Sequence, residues 1–192
     1  MPAYYTNTIE NFINESSNSI VGILASQYSS DGFVNLINKQ IKAWENQIDI
    51  IKESFKSLEF YELVKSKWTI IFEYTIPMIG QRIDTVILTN DKIIVIEFKD
   101  GAFDFSSQDK WQLYNYVMDL RDFHFESRNK KILPILLCSE SNQEPVANIF
   151  EDIELILTGK NGLKDVLTNY KKDLEQKEFD HQNWIKSNFL PT

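Results

Sequence analysis

With 192 residues, 43% of them hydrophobic and 13% aromatic, the chain can bury one domain core, and its 6 glycines and 5 prolines exclude a low-complexity or disordered class. A formal net charge of -8 argues against general electrostatic capture of nucleic acid, so any such contact must be built locally. One cysteine, Cys138, excludes an intrachain disulfide and fits a reducing cytoplasmic setting.

No run approaches the roughly 20 apolar residues of a membrane span. The opening MPAYYTNTIENFINE has no basic region followed by an apolar stretch, so no signal peptide is expected. Residues 1–32 read as short helices separated by polar turns, with SSNS (16–19) and SSDG (29–32) as breaks. A long helix follows, because Ile37, Ile41, Trp44, Ile48, Ile51, Phe55 and Leu58 recur at spacings of four and three. Its single apolar stripe can lie on a sheet; a two-stranded coiled coil is the alternative.

The apolar period then falls to two. WTIIFEYTI (68–76), RIDTVILT (82–89) and KIIVIEFK (92–99) read as three strands of a meander, the first ended by Pro77 and Gly80. A helix capped by Ser or Asp is expected over 106–126, a buried strand within 129–140, and another at IELILT (153–158). That last element is read as a final strand or loop, and helices at 162–178 and 180–188 close the chain. The expected fold class is α/β, a mixed central sheet flanked by helices. The division is an N-terminal helical appendage (1–32), a core (33–160) and C-terminal helices (161–192).

The chemistry concentrates in residues 80–101. Only Asn90 and Asp91 separate two strands, and both residues tolerate positive φ, so a two-residue hairpin turn is expected. That register sets Asp84 directly opposite Glu97, with Cβ atoms roughly 4.5–5.5 Å apart. Two facing carboxylates repel, and a rule broken inside an otherwise consistent hairpin points to function. A divalent cation with a preference for hard oxygen ligands, Mg²⁺ or Mn²⁺, removes the repulsion. Lys99 leaves the same face as Glu97, where an ammonium can orient water and offset phosphoryl charge. The bland alternative is a surface ion-pair cluster in which Arg82 and Lys99 neutralise the two acids.

These residues resemble the PD-(D/E)XK nuclease superfamily, and more narrowly its RecB-like branch: GQRID ending at Asp84, Glu97-Phe98-Lys99, then Gln112 and Tyr116 four apart on a helix. Ile83 stands where that pattern often has proline. The resemblance implies a restriction-endonuclease-like αβββαβ core and Mg²⁺- or Mn²⁺-dependent hydrolysis of DNA leaving a 5′ phosphate. It implies Asp84 and Glu97 as metal ligands, with the Phe98 carbonyl and Glu45 assisting and Lys99 placing the water. Gln112 and Tyr116 would orient these groups or contact nucleic acid. AWENQIDIIKE, WTIIFEYTIP, VIEFKDGA and DLRDFH are also similar to a bacterial nuclease–helicase family, whose nuclease-like domain precedes a P-loop helicase. That likeness implies a helicase or ATPase partner in cis or trans and a role in nucleic-acid processing or phage defence; NWIKSNFLPT resembles the junction before the ATPase. No GxxxxGK[ST] occurs in this sequence. A docking or regulatory module with the same fold, and an RNase with the same residues, are the rival functions.

His124 and His181 are too few for a zinc site, and Cys138 reads as a buried strand residue. Trp111 reads as a core residue that could instead stack on a base. Arg121, Arg128, Lys130 and Lys131 form the basic patch nearest the site helix, and Lys171–Lys172 another.

Overall fold

The computed structural model describes residues 2–32, 37–77 and 80–190. The chain is α/β. A seven-stranded mixed sheet in the order β1-β2-β3-β4-β5-β7-β6 carries helices on both faces. The strands are β1 (Tyr5–Thr8), β2 (Thr69–Ile76), β3 (Gln81–Leu88), β4 (Lys92–Lys99), β5 (Lys131–Cys138), β6 (Val146–Phe150) and β7 (Ile153–Gly159). The first four pair antiparallel in sequence order; β4, β5 and β7 are parallel neighbours, and β6 closes the far edge antiparallel to β7.

The expected meander is present. The helix that connects β4 to its parallel neighbour, α5 (Ser107–Asp122), lies over both strands. A parallel pair needs such a crossover, which a tight turn cannot supply.

Two apolar clusters divide the sheet faces. On one, α1 (Ile9–Asn14), α2 (Ser17–Ser30), α3 (Ile37–Lys56) and α6 (Leu163–Thr168) cover Ile70, Phe72, Ile87, Ile94 and Ile96. Trp44, Ile48, Ile51 and Phe55 of the α3 stripe are buried there, so the helix lies within this core rather than in a coiled coil. Leu58 is buried just beyond the helix end, and the side chain of Ile37 lies outside the described residues. On the other face, Leu113, Tyr116 and Leu120 of α5, with Trp184 of α7 (His181–Lys186), cover Ile71, Val86, Leu88, Ile93 and Val95.

The N-terminal segment differs from a purely helical appendage. Tyr5–Thr8 pairs with β2, and Ile9, Phe12, Ile20 and Leu24 are fully buried in the main cluster. A four-residue edge strand is too short to show a period of two. Ser16 caps α2, accepting from the Ser19 N–H at 3.2 Å. The final element, read as strand or loop, is strand β7. Residues 146–150, to which no element is assigned from sequence, form an edge strand whose sides are mostly solvent-facing, which removes the apolar alternation that marks a strand.

Near the C-terminus the expected long helix is broken into α6, a 3-10 turn at Lys171–Glu175 and an irregular run before α7. Asn90 is the reason for part of this path. Its side chain accepts from Trp68 Nε1 at 3.0 Å and donates to the Gln176 carbonyl at 3.1 Å, and its carbonyl accepts from the Phe179 N–H at 3.2 Å. The β3–β4 turn closes with Thr89 N–H on the Lys92 carbonyl at 3.0 Å, as the hairpin requires. Neither Asn90 nor Asp91 takes positive φ, however. Asn90 serves as a buried anchor rather than as a left-handed turn residue.

Among the described residues, no helix is long and apolar enough to cross a membrane.

Candidate active site

The β3–β4 ladder keeps the expected register from Leu88↔Ile93 to Thr85↔Ile96 and ends there. Asp84 and Glu97 therefore do not form the directly facing pair expected from the turn. Two anions at the close approach of a cross-strand pair repel. The strand instead turns Asp84 toward the neighbouring backbone, where its Oδ2 accepts the Phe98 N–H at 2.8 Å. In the alternating antiparallel pattern that N–H belongs to the Ile83 carbonyl. The carboxylate has taken the place of a ladder acceptor. Because a strand residue directs its N–H and C=O to the same neighbour, the Phe98 carbonyl faces the gap that Asp84 occupies.

Glu97 is 2% exposed. Its Oε1 pairs with Lys99 Nζ at 2.8 Å, while its Oε2 is the buried side-chain polar atom left without a partner among the described residues. An unsatisfied buried acceptor costs on the order of 1–3 kcal/mol, more when charged, and calls for an explanation such as a bound ion.

Lys99 is held from three sides. Besides Glu97, it reaches Asp109 Oδ1 at 3.0 Å and Gln112 Oε1 at 2.9 Å. Gln112 Nε2 donates to the Tyr116 hydroxyl at 2.8 Å, and Tyr116 donates to the Arg82 carbonyl at 2.9 Å. One turn of α5 thus fixes the lysine, and one buried phenol ties that turn back to β3. Lys99, Gln112 and Tyr116 are brought together as the sequence pattern requires.

Burial is the largest influence on the acids. It raises Asp84 well above the ordinary carboxylate range, with the charges of Glu97 and Glu73 adding to the effect, against the Phe98 N–H and Lys99. Burial likewise raises Glu97 to about 7, and Lys99 acts in the opposite direction. For Lys99 burial disfavours the charge, but Glu97 and Asp109 more than offset it, so the ammonium is held above its ordinary range. Burial, then the Glu97 charge, raises Tyr116, which stays a neutral donor.

Glu45 is not placed with these groups. It is exposed on α3 beside a depression lined by Lys42, Asn46, Asp100, Gly101 and Glu140. The apolar side of α3 packs against one sheet face, whereas Glu97 and Lys99 follow Ile93 and Val95 along the face that α5 covers. Residue spacing along α3 cannot report which face the helix will take. Among the described residues, no three His, Cys, Asp or Glu side chains gather into a metal-sized cluster. The donor set is two carboxylates with a backbone carbonyl beside them. That fits Mg²⁺, which keeps several waters and takes one or two protein carboxylates, better than a full protein cage. The unpartnered Glu97 Oε2 is the observation that favours this fit.

Two residues at the site had no role in the sequence reading. Asp109 is fixed by Ser106, whose Oγ donates to Asp109 Oδ2 at 2.6 Å and accepts the Asp109 N–H at 3.1 Å. The Ser-x-x-Asp spacing of a capping box was the available signal. Glu73 is buried in β2 at a φ of 53°, where it accepts from Trp44 Nε1 at 2.9 Å and from Arg82 Nε at 3.0 Å. Its signal was a charge within an otherwise apolar strand. Arg82 thus pairs with Glu73 rather than screening Asp84 as the surface-cluster alternative required.

His124 and His181 are buried structural residues. His124 meets Tyr74 and Ser127 at 3.1 and 2.7 Å, and burial lowers it to about 4. His181 joins Thr69 Oγ1 and the Thr89 carbonyl, and burial lowers its pKa too. Cys138 is buried and its thiol pushed up to about 11, which removes nucleophilic character at neutral pH. Trp111 is half exposed and packs edge-on against Tyr114 and Phe150 at 5.4 and 5.1 Å rather than entering the core. In the basic patch, Arg121 is paired with Asp122 and Lys130 lies over the Phe179 ring.

No protein-family model matches the chain, and no curated protein matches it in sequence.

Proposed function

We propose that the chain is a Mg²⁺- or Mn²⁺-dependent nuclease that hydrolyses DNA phosphodiester bonds. The observation that carries this reading is the buried, unpartnered Glu97 Oε2, in a site where burial and like charge raise both Glu97 and Asp84. Asp84, Glu97 and the Phe98 carbonyl would hold the cation, which when bound supplies Lewis acidity and compensating positive charge.

The chain's own residues do the rest. Lys99 has three N–H donors and three acceptors, and two of those acceptors are themselves anchored: Asp109 by Ser106, and Gln112 by Tyr116. Glu97 is therefore the exchangeable partner. Once Glu97 is engaged elsewhere, one Nζ–H is available to orient a water or to donate to a phosphoryl oxygen as charge builds on it. Tyr116, buried and neutral, keeps the Gln112–Lys99 arm tied to β3.

A second reading, a nuclease-like fold serving as a docking module for a helicase or another partner, draws on the exposed apolar side chains Val146 and Ile149 of edge strand β6. The two are separated by one set of measurements. Mn²⁺ titration calorimetry of wild type and Asp84→Asn should give a heat of binding that the substitution abolishes. Cleavage of single- and double-stranded DNA in Mn²⁺ should fall at least 100-fold in Lys99→Ala. Equal cleavage by wild type and Lys99→Ala would remove the catalytic reading, and preferential cleavage of RNA would reassign the substrate.

A further inference from the structure

Beta strands 2 and 3 lose their alternation at the same level. On β2, Phe72 faces the α3 cluster, yet Tyr74 and Ile76 both face the α5 cluster. On β3, Ile83 and Val86 both face the α5 cluster, although three residues apart. The one residue of β2 that breaks the pattern is Glu73; on β3 the break spans Asp84 and Thr85, whose hydroxyl turns to Gln47 of α3 at 2.6 Å. The β2–β3 register resumes on either side, Phe72↔Thr85 and Tyr74↔Ile83, which puts Glu73 and Asp84 opposite each other at the break.

Glu73 has a left-handed backbone, which L side chains adopt only when their surroundings enforce it. Here the enforcement is visible. Trp44 Nε1 of α3 holds Oε1, and Arg82 Nε holds Oε2. Arg82 is in turn stacked on Tyr4 at 4.9 Å, and its carbonyl accepts from Tyr116. A hydrogen-bonded path therefore crosses the sheet, from Trp44 through Glu73 and Arg82 to Tyr116, Gln112 and Lys99.

We propose that Glu73 is a positioning residue of the Asp84–Glu97 site: its forced left-handed turn and its bonds to Trp44 and Arg82 set the point at which Asp84 leaves the ladder and takes the Phe98 N–H. Its consequence for cation binding rests on the metal-dependent reading above. Its consequence for Asp84 does not. Outer-shell residues that orient metal ligands typically lose 10–100-fold in metal affinity when altered.

The test compares wild type, Glu73→Gln and Glu73→Ala by Mn²⁺ calorimetry at a temperature where circular dichroism shows each folded. It also compares crystal structures of wild type and Glu73→Gln without metal. Affinity should fall 10–100-fold in Glu73→Ala and less in Glu73→Gln, which keeps one acceptor, and Phe98 N–H should return to a backbone carbonyl. A merely structural role would lower the melting temperature and leave affinity unchanged. Folded variants with affinity within twofold of wild type overturn the proposal. Should Glu73→Ala fail to fold, Glu73→Gln decides. Should wild type bind no Mn²⁺, the metal-dependent reading fails. The crystal structures then decide alone: Asp84 still on the Phe98 N–H in Glu73→Gln overturns the positioning role, and its release supports it.

Discussion

Removing the Glu97 charge should change how the metal-free protein responds to pH. Burial raises Glu97 from an ordinary value of 4.5 to about 7, although Lys99 lies beside it. An acid whose folded value is the higher one contributes stability that is fully present below the unfolded value and is lost as pH rises through the folded value. The window is therefore pH 4.5 to 7. A gap of roughly 2.5 pH units corresponds to about 3 kcal/mol at 1.36 kcal/mol per unit. Asp84 shares the buried charge, so the change belongs to the pair. Glu97→Gln keeps an acceptor for Lys99 and has no charge to lose. Its unfolding free energy minus that of wild type should thus rise by about 3 kcal/mol between pH 4.5 and 7.5. For a chain of this size that corresponds to a relative gain of about 6–12 °C in Tm. Urea denaturation in EDTA at four pH values measures it. Taking the difference between the two proteins cancels His124 and His181, whose lowered values act in the opposite direction. Added Mn²⁺ should stabilise wild type and not the variant, by linkage to binding. A difference flat within about 0.5 kcal/mol, or one that falls with pH, would refute the reasoning.

Two further outcomes follow from the site's connections. Tyr116→Phe removes the donor to the Arg82 carbonyl and the acceptor for Gln112, and should cost about 1–2 kcal/mol in urea denaturation. It should also lower kcat roughly tenfold with little change in KM, because the phenol acts on Lys99 through Gln112; an unchanged kcat would break that link. Glu45→Gln, exposed on α3, should leave Mn²⁺ affinity within about twofold of wild type, and a tenfold loss in calorimetry would return Glu45 to the ligand set.

Much of the site was legible because it lies on one hairpin and one helix. The two-residue separation of the strands determines that Val86 meets Val95, and a spacing of four on a helix puts Gln112 and Tyr116 on one side. The stripe from Trp44 to Phe55 likewise determines a buried helix face. These are local relations, set by strand and helix periods alone. Which sheet face α3 covers is not local, so the position of Glu45 could not be read from its place beside Trp44. Nor could the exit of Asp84 from the ladder. It depends on a left-handed residue eleven positions earlier in another strand, held by a tryptophan from one helix and an arginine packed on Tyr4. The sequence by itself determined the α/β pattern, the register up to Thr85 and the residues able to carry chemistry. Only the tertiary structure decided which acids are buried together and which oxygen is left without a partner, because burial and orientation are properties of the packed sheet and its two covering layers.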